Sequence, residues 1–217
     1  MEKDLAILIA DLTGYTAMTE VHGGVSASEI VDRYVELVNE SLIGDSYLAE
    51  RIGDQVVVCS TDVDDLALTA IRLNDLTRQE NLFLVIHAGI HYGKIVEKDG
   101  HFFGSTINTA ARIAATAKGG QVLCSESFVN HLRIRESYKL SEVGVFEFKN
   151  MISKIRVFEI VSAISMEPLL RDPICHMLIT APTEELTYPY KGQIVHFCST
   201  QCMNTFKNSR ENQEYSK

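Results

Sequence analysis

Two aspartates are the first residues with chemical reach. Asp11 ends an apolar run over residues 5–10, and Asp54 follows Gly53 in a dipeptide suited to a hairpin turn. Carboxylates at a strand end and in a turn, with glycine near each to admit a ligand, can hold Mg²⁺ against phosphates. Aspartate also occupies turns for purely local reasons, so a structural role is open to both. In GSTINTAAR, Asn108 and Arg112 stand four residues apart and share one face if the segment is helical. Small residues there fit close helix packing equally well, with Arg112 simply exposed. Near the C-terminus, Cys175 precedes Cys198 by 23 positions, and Cys198 and Cys202 sit about one helical turn apart. Three thiols flanked by His176 and His196 suit a soft or borderline cation, the competing role being burial as small apolar side chains.

These residues need elements to position them. Residues 5–10 read as a buried strand that delivers Asp11 at its carboxyl end. Ser26-Ala27-Ser28-Glu29 spells a capping box, and Ile30, Tyr34, Leu37 and Val38 follow at helical spacing, which predicts a helix from there to about Glu40. Residues 47–52 and 55–60 predict a hairpin around Gly53-Asp54, and Asp62 is placed to cap a second helix carrying Leu66, Ala70, Leu73 and Leu76. Residues 83–90 and 93–96 predict two strands, with Asp99-Gly100 as a further turn signal. Residues 105–117 predict a helix ended by Gly119-Gly120, and strands follow over 121–125, 138–149 and 155–161. This order implies an α+β fold with helices packed on one face of a sheet.

Composition bounds the function. With 217 residues, 46% hydrophobic and 23% charged, the chain can bury one sizeable core and a small second one. A net charge of -9 argues against a general binder of nucleic acid or anionic membrane, since such partners reward clustered Lys and Arg. The six-residue apolar run at the N-terminus is too short for a signal peptide or a span, so a cytoplasmic location is expected. Five cysteines, an odd number, fit reduced thiols better than a disulfide framework.

Taken together, IADLTGYT, ERIGD, AGIHYG, FFGSTINTAARI and FEFKN followed by VFEI resemble, in order, the catalytic domain of class III adenylate and guanylate cyclases over residues 5–161. The resemblance implies a ferredoxin-like sheet and a two-metal site using Mg²⁺ or Mn²⁺, with Asp11, Asp54 and the Leu12 carbonyl as ligands. It implies that Asn108 orients the ribose, that Arg112 stabilises charge on the α-phosphate and that Lys149 meets the terminal phosphates. It also implies a homodimer, with aspartates from one subunit and Asn and Arg from the other. Four residues before the second metal aspartate the family reads the base, and Glu50 stands there. A carboxylate accepts from guanine's N1–H and 2-amino group, whereas Lys suits adenine, so GTP is favoured over ATP. The second base-reading position holds His101, which matches neither pattern.

The tail, RDPICHM through YKGQIVHFCSTQC, resembles the YHS domain. The expected organisation is a cyclase domain over 1–163, a linker over 164–171 and a metal-binding module over 172–217. Cys175, Cys198 and Cys202 would bind Zn²⁺ or another transition metal, with His196 or His176 as the fourth ligand. A catalytically silent nucleotide-binding or metal-sensing module is the alternative function.

Overall fold

The computed structural model describes residues 2–98, 101–134, 138–149, 151, 153–162 and 169–214, with the backbone alone for His101 and residues 210–214. The predicted turn at Asp99-Gly100, the His101 side chain and residues 164–168 of the expected linker lie outside the described residues. Eight strands among the described residues form one sheet. They are β1 (Glu2–Leu12), β2 (Tyr47–Ile52), β3 (Gln55–Ser60), β4 (Ile86–Lys98), β5 (His101–Phe103), β6 (Val122–Ser125), β7 (Tyr138–Phe146) and β8 (Ile155–Ser162). Their order is β2-β3-β1-β4-β6-β8-β7, with β5 paired to β4. Central β1 runs antiparallel to both β3 and β4, while β4 and β6 are parallel.

The sheet is covered on both faces, which corrects the expectation of helices on one. Ala6, Leu8, Ala10 and Leu12 of β1 pack with α1 (Tyr15–Ser41) and α2 (Val63–Gln79). Leu5, Ile7 and Ile9 turn the other way, onto Ala110 and Ala114 of α3 (Ser105–Ala114). A strand buried on both sides needs apolar residues at every position, which is why residues 5–10 do not alternate. α3 reaches the sheet at Gly89, where an added Cβ would stand 2.1 Å from the Ala114 nitrogen and 2.5 Å from the Ala110 oxygen. The small residues of α3 serve that close approach.

Local signals fare unevenly. The hairpin β2–β3 turns at Gly53, whose φ of +64° suits glycine, and Asp62 caps α2 by accepting from the Asp64 and Asp65 N–H groups. The first helix starts earlier than Ser26-Ala27-Ser28-Glu29 suggests: α1 begins at Tyr15 behind Gly14 and breaks at Gly23 (φ 82°, ψ 173°). The break lies three residues before Ser26, so glycine rather than the serine interrupts the helix. Residues 83–98 hold one long strand, β4, in place of two.

Past residue 169, β9 (Thr187–Tyr190), β10 (Gln193–His196) and α5 (Thr200–Glu214) follow. Buried side chains of this segment, among them Cys175, Met177, Phe197, Cys202 and Phe206, belong to the same apolar cluster as α1 and α2. Leu178 exchanges backbone hydrogen bonds with Leu82 and Phe83 (2.9 and 2.7 Å), and the Gln201 amide donates to the Val21 carbonyl at 2.6 Å. No helix among the described residues is long and apolar enough to cross a membrane.

One buried carboxylate holds the α2 end of the sheet together. Asp64, 2% exposed, accepts from the N–H groups of Arg133 and Ile134 at 3.0 and 2.9 Å and from Arg133 Nε at 2.8 Å. Burial raises its pKa, but these hydrogen bonds and the Arg133 charge outweigh that and hold it below 3.8. A depressed pKa contributes stability above the unfolded value and loses it as pH falls through the folded one. Asp64→Asn is therefore expected to cost about 2 to 4 kcal/mol at pH 7. Urea denaturation should show the gap between variant and parent closing below about pH 4. A gap that stays constant down to pH 3 would place the loss in packing instead.

Candidate active site

β1 carries Asp11 to its carboxyl end, and the β2–β3 turn brings Asp54 to the same place. There the two carboxyls lie close enough for each to bear on the other's proton. Burial first, then hydrogen bonding to and repulsion from Asp11, push the Asp54 pKa up to about 7, against a smaller opposing effect of Asp54's own backbone N–H. Two carboxyls thus compete for one proton where a divalent cation would satisfy both. Asp11 Oδ1 also accepts from the Leu12 N–H at 3.1 Å.

Two side chains that sequence reasoning missed bear on these carboxyls. His87 on β4 has Nε2 4.0 Å from Asp11 Oδ2, and its Nδ1 is 3.1 Å from Thr13 Oγ1. Burial lowers its pKa below 6.5, with Asp54 opposing, so the ring is neutral at pH 7. Tyr34 on α1 is fully buried, and its hydroxyl has no hydrogen-bond partner. Burial first, then the charges of Asp11 and Asp54, raise the Tyr34 pKa well above 10. A buried hydroxyl without a partner, near enough to feel the charge of both carboxyls, fits a place that holds a cation and its water. His87 directly precedes the quoted AGIHYG stretch, the one signal that pointed toward it; Tyr34 read only as a core position.

Asn108 and Arg112 are both exposed on α3 and share its outer face. Among the described residues, no hydrogen bond or ion pair links either of them to Asp11 or Asp54. Glu50 lies half-buried on β2 opposite Val57, at a register shift between Leu48 and Glu50. Lys149 is exposed in the turn after β7. The structure therefore joins the two aspartates but leaves Asn108 and Arg112 facing solvent.

The profile of the adenylate and guanylate cyclase catalytic domain matches residues 2–162, which hold all eight strands of the sheet and the helices that cover it. The chain belongs to that family. Among relatives, the pH-sensitive adenylate cyclase of Mycobacterium tuberculosis is 25% identical over 161 residues, covering 73% of this chain and 41% of that protein. The chain spans less than half the length of the curated relatives it matches. Adenylate cyclases from Trypanosoma brucei, solved in their monomeric state, superpose with a TM-score of 0.68 at 17% identity, over 76% of this chain and 91% of that one. The dimeric guanylyl cyclase domain of the RhoGC fusion protein from Blastocladiella emersonii gives 0.64 at 17%, over 75% and 98%. At such identities these two show the cyclase fold and nothing finer.

The C-terminal thiols also converge, with a different histidine from those expected. Cys198 Sγ lies 3.4 Å from Cys175 Sγ and 3.5 Å from Cys202 Sγ. His22 of α1 joins them, its Nε2 3.5 Å from Cys198 Sγ and 3.6 Å from Cys202 Sγ. His196 instead pairs with Thr187 across the β9–β10 hairpin with its Nδ1 buried and unpartnered, and the His176 side chain packs on Gly14. Hydrogen bonds from Cys175 and Cys198 push the Cys202 thiol down to about 4, while Cys198 and Cys202 push Cys175 up.

Proposed function

We propose that this domain converts a purine nucleoside triphosphate, GTP in preference to ATP, into the 3′,5′-cyclic nucleotide and pyrophosphate. The observation that carries the reading is the meeting of Asp11 and Asp54 in one crowded carboxyl pair within a cyclase-family domain. A divalent cation held there, Mg²⁺ or Mn²⁺, would neutralise phosphate charge and make the ribose 3′-hydroxyl easier to deprotonate.

The chain's own groups do the positioning. The amino end of α1 follows Asp11 directly, and its helix dipole favours the triphosphate there. Neutral His87, beside Asp11 and Thr13, adds no charge while helping to set the rotamer of the carboxylate. In the reaction the 3′-oxygen bonds to the α-phosphorus, the bond to the β-phosphate oxygen breaks, and the hydroxyl proton leaves with no redox change. Charge builds on the α-phosphate oxygens, where a guanidinium stabilises the transition state more than the ground state. Arg112 has that chemistry, Asn108 can bond the ribose one helical turn away, and Lys149 can meet the terminal phosphates. By the family resemblance Asn108 and Arg112 serve the carboxyl pair of a second copy in a homodimer, and their exposure on α3 supports that reading.

The guanine preference rests on Glu50, whose carboxylate accepts from two donors that adenine lacks. The second reading, ATP, draws support from the relative named an adenylate cyclase. Incubation with each of the four nucleoside triphosphates and Mg²⁺ or Mn²⁺, with products read by mass spectrometry, tests both. Cyclic GMP should dominate, and Glu50→Lys should shift the ratio toward cyclic AMP by about tenfold or more. A wild-type preference for ATP that Glu50→Lys leaves unchanged would overturn the base assignment. Binding without any cyclic product would favour a silent nucleotide-binding module.

A further inference from the structure

The four side chains His22, Cys175, Cys198 and Cys202 bring one ligand atom each within 4.8 Å of one another. In a tetrahedral site with Zn–S bonds of about 2.3 Å, sulfurs stand about 3.8 Å apart. The measured S···S distances of 3.4 and 3.5 Å and S···N distances of 3.5 and 3.6 Å are close to that shape. We propose that these four residues form a single site for a soft or borderline divalent cation, Zn²⁺ by its donor set, which fastens the C-terminal segment to helix α1 of the cyclase domain.

The surroundings are built for this. Asp172, fully buried, accepts from the N–H groups of Ile174 (2.7 Å), Cys175 (3.2 Å) and Cys198 (2.7 Å), so one carboxylate sets the backbone at two of the three thiols. Cys202 lies in the first turn of α5, whose positive end favours thiolate charge. Cys175 and Cys202 are buried, whereas His22 and Cys198 are half-buried and line a groove of about 420 Å³ through which an ion can enter. Three thiolates and a neutral imidazole match the Cys₃His composition of closed zinc sites.

The site joins segments that the chain keeps far apart. His22 immediately precedes the Gly23 break in α1, and the Cys175 loop carries His176 onto Gly14 at the start of the same helix. That contact is close enough for an added Cβ on Gly14 to meet His176 Cβ at 2.7 Å. A metal in the cluster thus braces both ends of the first stretch of α1, next to the loop that follows Asp11. Since metal content does not depend on turnover, the proposal stands or falls apart from the nucleotide reading.

The test uses the full chain, purified reduced and stripped of metal, then titrated with Zn²⁺ against a chromophoric chelator and, separately, with Co²⁺. Wild type should bind about one ion per chain and show the visible spectrum of a tetrahedral Co²⁺–thiolate complex. His22→Ala should weaken binding tenfold or more, His22→Cys should restore it with a shifted Co²⁺ spectrum, and His196→Ala should bind as wild type. Hydrogen exchange in residues 15–22 should slow on adding Zn²⁺ to wild type and not to His22→Ala. The Cys exchange at His22 keeps the result interpretable if alanine perturbs folding. Wild-type affinity and spectrum in His22→Ala, loss of binding in His196→Ala, or no binding by reduced wild type would each overturn it.

Discussion

Alanine at Asp11 or Asp54 is expected to lower cyclic nucleotide formation by at least about 10³-fold, a loss of roughly 4 kcal/mol of transition-state stabilisation. Each carboxylate is one side of the crowded pair that β1 and the β2–β3 turn bring together. Neither is a core group, so the fold should survive. Asp54→Asn sharpens the point through stability. The folded pKa of Asp54, about 7, lies above the ordinary 3.8, so its ionised form is disfavoured in the fold. The penalty is absent below the ordinary value, grows as pH rises between the two, and is full above 7. In chelator-treated protein, Asp54→Asn should therefore match the parent near pH 4 and exceed its thermal midpoint near pH 8. Equal product formation by both alanine variants would remove the carboxyl pair from the mechanism. A parent more stable than Asp54→Asn at pH 8 would mean that the two carboxyls do not crowd each other.

Arg112→Ala should reduce kcat by about 10² to 10³ while KM changes only a few-fold, because its charge acts mainly as negative charge develops on the α-phosphate. Its exposure on α3 makes a sharper test available. Mixing Arg112→Ala chains with Asp54→Ala chains should restore up to about a quarter of wild-type activity, since half of randomly paired dimers are mixed and each contains one intact site. Tagged chains can verify that mixed dimers form. If they form and activity stays at background, the aspartates and Arg112 belong to one chain's site. A rise in KM with kcat unchanged would instead make Arg112 a ground-state phosphate contact.

What the sequence by itself determined follows from short-range physics. The hairpin at Gly53-Asp54, the Asp62 cap and the buried strand ending at Asp11 depend on a few neighbouring residues with strong preferences, and all three stand in the structure. The family motifs carried Asp11 and Asp54 together before any coordinates did, because their order along the chain is itself specific. Burial on both faces erased the period that would have told which side α3 takes, so its placement at Gly89 was decided by packing. Orphaned Tyr34 and neutral His87 gained meaning only when β1, β4 and α1 met around two carboxyls. His22 lies roughly 150 residues before Cys175 with no spacing motif to mark it, whereas His196 and His176 stood beside the thiols in sequence. Sequence neighbours face whichever way the backbone sends them: the β9–β10 pairing took His196 elsewhere, and the docking of the C-terminal segment on α1 brought His22 to the thiols.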